Sequence, residues 1–188
     1  EALELIRPVP GTRLQYNGIG IEEIIEHIRP DTRVVGVSVN FSHEWTVVRP
    51  AISAIKAAFP EAKVVVGGEH ATAVAEYSLR DCSAIDAIVM GEGEETMVAY
   101  CQAVRDGGDV SSVESTCFLN NRDFVSNPLR SRIREVTDIP WPDWEALPIK
   151  PYLDNAISFG AGFGRNMPIM ASRGCPYQCT FCSNPKMW

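Results

Sequence analysis

AKVVVGG, residues 62–68, decides the fold class. Three valines stand in a row and two glycines end the run. A strand with one wet face alternates apolar and polar residues, and this one does not. A continuous apolar run fits a parallel strand covered on both faces. The same signature occurs upstream in RVVGVSV (33–39), apolar until Ser38, and downstream in AIDAIVMGEG (84–93).

The segments between these runs carry helical spacing. GIEEIIEHI (20–28) sets Ile21, Ile24, Ile25 and Ile28 on one stripe. EWTVVRPAISAIKAAF (44–59) does the same with Trp45, Val48, Ile52, Ile55 and Phe59. Pro50 fits only a first turn, so that helix is expected to start late or bend. TAVAEYSL (72–79) reads as a short helix. EETMVAYCQAVRDGG (94–108) opens with Glu94 and Glu95 at its positive end and stops at Gly107-Gly108. ALELI (2–6) is a short strand candidate. Strand and helix alternate, which predicts an α/β fold with a doubly wound, flavodoxin-like parallel sheet. Ligands of such sheets bind beyond the carboxyl ends of the strands. Those ends are SVNFSHE (38–44), GGEHAT (67–72) and GEGEE (91–95).

From Gly107 the pattern changes. STCFLNNRDFVSN (115–127) resembles a hairpin turning at Asn121-Arg122-Asp123. DIPWPDWEALPIKPY (138–152) has no period and reads as a connector pinned by Trp141, Trp144 and Tyr152. GAGFG (160–164) is a glycine-rich turn rather than a nucleotide loop. PIMASRGC (168–175) looks like one more buried strand, running into a cysteine. The expected organisation is an α/β domain over 1–108, a hairpin and connector over 109–167, and the start of another domain over 168–188.

The 188 residues suit about one domain plus part of another. A hydrophobic share of 45% supports a real core, and a net charge of -7 argues against a nucleic-acid or anionic-membrane binder. No apolar run is long enough for a membrane span, and no secretory signal pattern opens the chain. The six cysteines are not spaced as a disulfide framework, so a reducing cytoplasmic setting and metal or redox chemistry are expected. Cys175, Cys179 and Cys182 carry that expectation. Soft thiolates choose zinc, copper(I) or iron–sulfur clusters, and zinc usually takes four ligands where this loop offers three. A 4Fe–4S cluster on three cysteines keeps one iron open; a zinc loop or unligated thiols are the rival readings.

RGCPYQCTFC (173–182) resembles the signature of radical S-adenosylmethionine (SAM) enzymes. That resemblance implies Cys175, Cys179 and Cys182 as cluster ligands, Phe181 beside the adenine of SAM, and an external electron donor. VVGVSVNFS (34–42), VVVGGEHAT (64–72), DAIVMGEGEET (86–96) and DIPWPDWEALP (138–148) resemble the cobalamin-binding domains that precede radical SAM barrels. This implies that Ser38, Gly67 and Gly68 contact the buried nucleotide tail of cobalamin. Asn40, Glu69, His70, Gly91 and Gly93 are candidates by position. Without the resemblance, Gly67-Gly68 is more simply a turn, and the acidic GEGEE is a helix cap rather than a phosphate loop. His43 and His70 are expected to be solvated loop residues rather than cobalt ligands. The Asp-x-His-x-x-Gly loop of many cobalamin domains is absent, and ALELI matches the second strand of that pattern, so the first strand and helix are expected to be missing.

The resemblance implies a parent enzyme that transfers methyl to an unactivated carbon of a small-molecule substrate, such as a biosynthetic intermediate, via a 5′-deoxyadenosyl radical and methylcobalamin. An oxidative cyclase or rearrangement enzyme with the same cofactors is the alternative, and a non-catalytic α/β binding module is the rival of another class. A barrel needs roughly 200 residues, so the chain is expected to be an N-terminal fragment and inactive by itself.

Overall fold

The computed structural model describes residues 6–9, 11–133, 135–155, 164–167 and 173–182. A five-stranded sheet runs in the order β3 (Val34–Ser38), β4 (Lys63–Gly67), β5 (Ala87–Val89), β6 (Thr116–Asn120), β7 (Asp123–Ser126). The first three are parallel, with Val35 opposite Val64 and Val66 opposite Ile88. Helices α2 (Trp45–Ala58), α3 (Glu69–Ala73), α4 (Ala75–Asp81) and α5 (Glu94–Asp106) follow them.

The unbroken valines are explained by a core on each side of the sheet. Val64, Val66 and Ile88 pack with Trp45, Ile52, Ile55 and Leu79 on one face. Val65, Ala87 and Val89 pack with Tyr100 and Val113 on the other. Helix α1 (Ile21–His27) lays Ile24 and Ile25 against the first core. At the amino ends, Asp86 ties the layers: it accepts from Lys56 Nζ and from Val64 N, each at 2.8 Å. Helix α5 stops as expected, with Gly107 left-handed at φ +69.

Four expectations are corrected. The sheet is mixed, because the hairpin assigned to the connector completes it: β6 pairs antiparallel with β5, Ile88 facing Cys117. Its turn is where expected, Asn120 facing Asp123 across Asn121 and Arg122, both at positive φ. Helix α2 does not start late; Pro50 lies inside it. An interior proline costs about 3 kcal/mol, and burial of Trp45, Ile52 and Ile55 offsets this at about 1.5–3 kcal/mol per side chain. The single helix expected over 72–79 is two, broken at Val74 (φ -131, ψ 41). Trp141 does not pin the connector, since 89% of it is exposed and no described group covers it.

Residues 2–5 of ALELI lie outside the described residues. Ile6 begins β1 (Ile6–Pro8), which pairs antiparallel with β2 (Gln15–Asn17) in a ribbon apart from the main sheet. The connector holds a short helix α6 (Ile149–Asp154). The strand expected over 168–175 also falls outside the described residues, apart from Arg173, Gly174 and Cys175, which carry no strand.

Candidate cofactor-binding site

The parallel strands deliver three loops to one end of the sheet. Ser38 and Gly67 are register partners at the carboxyl ends of β3 and β4. The loops beyond them are stitched together: Val39 N donates to Gly67 O at 2.8 Å, and His70 N to Val39 O at 3.1 Å. The stitch explains one glycine. Gly68 has φ +101, and a Cβ there would stand 2.6 Å from Val39 O and 2.7 Å from Asn40 Oδ1. Its missing side chain is therefore demanded by the protein's own packing. Gly67 differs. A Cβ on it would meet nothing nearer than 3.9 Å, so its bareness leaves room for an incoming group.

Ser38 is exposed and lines an apolar groove of about 1160 Å³ that runs along β3 past Tyr16, Ile24, Trp45 and Ile52. Asn40 and Glu69 are exposed beside it. His70 corrects its expectation. It is 6% exposed, in the first turn of α3, with Nδ1 2.9 Å from Ser42 Oγ. Its ring lies 5.2 Å from the Trp45 ring, and Trp45 Nε1 donates to Asp81. Burial lowers its pKa, so the ring is neutral at neutral pH. Nε2 is buried with no hydrogen-bond partner among the described residues. His43 is exposed, as expected.

The third loop follows β5. Gly91 takes φ +68 and its N–H donates to Thr72 Oγ1 at 3.1 Å; Gly93 caps α5. A second cavity, about 370 Å³, opens here between Thr72, Met90, Gly91, Ser115 and Arg130. Glu94 and Glu95 stand in the first turn of α5, where the helix dipole favours them. Glu92 lies outside the helix and does something else. It accepts from Ile133 N at 2.9 Å and from Arg173 Nη1 at 3.3 Å, while Arg173 Nη2 reaches Glu94 at 2.5 Å. Sequence reasoning missed this contact. The one signal was three carboxylates in five residues with no cation nearby in sequence.

The cysteine loop lies past Arg173. Gly174 turns the chain at φ +80, and Cys182 N donates to Cys179 O at 3.1 Å. Cys175, Cys179 and Cys182 are free and exposed. They are not gathered: among the described residues no three His, Cys, Asp or Glu side chains stand in metal-holding geometry. Phe181 is 92% exposed. The donor set still fits an iron–sulfur cluster in kind, being three uncommitted soft thiols on one exposed loop. The bare Gly67, the Ser38 hydroxyl and the unpartnered His70 Nε2 likewise fit a large ligand with a polar periphery.

Residues 12–100 match the family model described as B12 binding domain. The chain is 33% identical over 167 residues to an uncharacterized methyltransferase of Pyrococcus horikoshii, covering 87% of this chain and 34% of that protein. It is 32% identical over 174 residues to the anaerobic magnesium-protoporphyrin IX monomethyl ester cyclase of Cereibacter sphaeroides, covering 89% of this chain and 26% of the cyclase. The chain thus spans about a third or less of these relatives. Its fold superposes with a TM-score of 0.68 and 20% identity on OxsB, a cobalamin-dependent SAM radical enzyme, covering 87% of this chain and 22% of that one. It superposes at 0.60 and 21% identity on TsrM, a radical SAM methyltransferase of Kitasatospora setae, covering 89% and 33%.

Proposed function

We propose, from the premise that this chain belongs to the cobalamin-binding-domain radical SAM family, that it is the cofactor-binding part of an enzyme that transfers methyl to an unactivated carbon of a small-molecule substrate. Cobalamin sits at the carboxyl ends of β3 and β4, and a 4Fe–4S cluster with SAM sits on the cysteine loop. What supports this most is that the family match over 12–100 spans the strands ending at Ser38 and Gly67. When bound, the cluster supplies the electron that cleaves SAM to a 5′-deoxyadenosyl radical, and cobalamin carries the methyl group.

The chain's own residues bind and orient. Ser38 offers a hydroxyl at the groove end, Gly67 offers open backbone, and His70 Nε2 offers a buried polar atom held in place by Ser42 and Trp45. Cys175, Cys179 and Cys182 supply three thiolates and leave a fourth metal position for SAM. Asn40, Glu69, Gly91 and Gly93 line the approach from the neighbouring loops, and Phe181 faces the adenine. An external electron donor is needed, and a reducing cytoplasm suits six unpaired cysteines. No helix among the described residues is long and apolar enough to cross a membrane.

Oxidative cyclisation with the same cofactors is the second reading, favoured by the 32% identity to the cyclase. The test mixes the chain with hydroxocobalamin, desalts it, and records the visible spectrum. Retained corrin absorbance, lost in Gly67→Leu at unchanged folding, is expected. No retention would leave a plain docking module. Iron and sulfide per chain after anaerobic reconstitution separate the cluster from zinc. In the whole enzyme, S-adenosylhomocysteine formation marks methyl transfer, and its absence beside deoxyadenosine marks cyclisation.

A further inference from the structure

Several ion pairs here are local. Arg29–Asp31, Arg80–Glu76 and Arg105–Asp106 join residues one to four apart on exposed surface, where a pair contributes little. The bridge from Arg173 to Glu92 and Glu94 is of another kind. It spans 81 and 79 residues of chain. The Arg173 side chain is 22% exposed and that of Glu92 only 11%. One planar guanidinium reaches two carboxylates from one edge, a fork that lysine cannot reproduce.

The receiving side is held in place before the arginine arrives. Met90 N donates to Ser115 O at 2.8 Å, and Gly91 N to Thr72 Oγ1, so the turn after β5 is fixed to two neighbours. Glu92 Oε2 is held by Ile133 N, which aims the other oxygen outward. Arg130 is engaged with Glu95 and Glu114 and does not compete. Burial alone would raise the pKa of Glu94. The Arg173 hydrogen bond and the backbone N–H groups of Glu94 and Gly93 outweigh it and keep the carboxylate charged. Arg173 stands two residues before Cys175.

We infer that Glu92, Glu94 and Arg173 form a clasp that positions the start of the cysteine loop at the carboxyl end of β5, on the end of the sheet that carries Ser38, Gly67 and His70. What the loop then holds rests on the function proposed above; the clasp itself does not. The three are positioning residues. They set where the first thiol stands beyond the end of the sheet, and so how the cluster group faces the corrin site.

The cofactor-free test is tryptic cleavage of the full chain, read by mass. The cut after Arg173 is timed against the cut after Arg165, which is 59% exposed. In the double variant Glu92→Gln/Glu94→Gln the Arg173 cut is expected to quicken by about tenfold, as local opening becomes easier. The Arg165 cut and the urea midpoint stay unchanged, and Glu92→Asp restores much of the protection. An unchanged Arg173 rate, or equal acceleration at both sites, would overturn the clasp. The cofactor test uses Arg173→Gln and Arg173→Lys after anaerobic reconstitution of the whole enzyme. Iron per chain is expected to be unchanged while the reduced-cluster paramagnetic resonance spectrum with SAM changes shape, less in lysine than in glutamine. Spectra identical to the parent would refute positioning. A parent that takes up neither iron nor corrin refutes the proposed function alone, because the tryptic result stands without either.

Discussion

Two adjacent glycines at the end of β4 illustrate how differently one residue type is used. Gly68→Ala forces a side chain into left-handed backbone against the Val39 carbonyl, at a cost of about 2–4 kcal/mol. Gly67→Ala meets only ordinary contacts, so stability should hold or rise by up to about 1 kcal/mol. Urea unfolding of the two variants checks this. His70 makes the second residue-scale prediction. Burial lowers its folded pKa, while the unfolded ring titrates near about 6.5. Its contribution is fully present above that pH. As pH falls below it, the unfolded state takes up the proton first and stability is lost. Urea midpoints from pH 8 to 5 should fall on the acid side, and the fall should flatten in His70→Gln. Ser38 and Gly67 were legible as strand ends, because each closes an apolar run. The Arg173 contact was not legible, because the acidic run at 92–95 does not say which distant arginine, here 81 residues on, reaches it.

At the scale of elements, helix α2 carries an unused reserve. Pro50 removes the N–H that would bond the carbonyl of Thr46, four residues back, in an otherwise regular helix. Pro50→Ala should therefore raise stability by about 1–3 kcal/mol, seen as a higher thermal midpoint without loss of corrin uptake. The buried strands β4 and β5 could be read directly, since a strand covered on both faces must be apolar throughout; β3 carries the same apolar run but stands at the sheet edge, only partly covered. The place of the hairpin could not. Its turn residues announce the reversal at Asn121 and Arg122, but nothing in a two-residue period says which strand the hairpin pairs with. The break at Val74 was also hidden, because Ala71, Ala75 and Leu79 keep helical spacing across it and all enter one core.

Over the whole molecule, burial divides the thiols. Cys82 and Cys117 lie inside, and burial pushes Cys117 up to about 12. Cys101 and the three loop cysteines lie outside. Alkylation tells such populations apart, because only an accessible thiolate reacts quickly. Brief iodoacetamide treatment of the folded chain at neutral pH should add four mass tags, sparing the two buried sites, and six in denaturant. A chain reconstituted with iron and sulfide should accept one, at Cys101. The tag count thus becomes a census of whatever occupies the loop, taken without colour, turnover or a magnet.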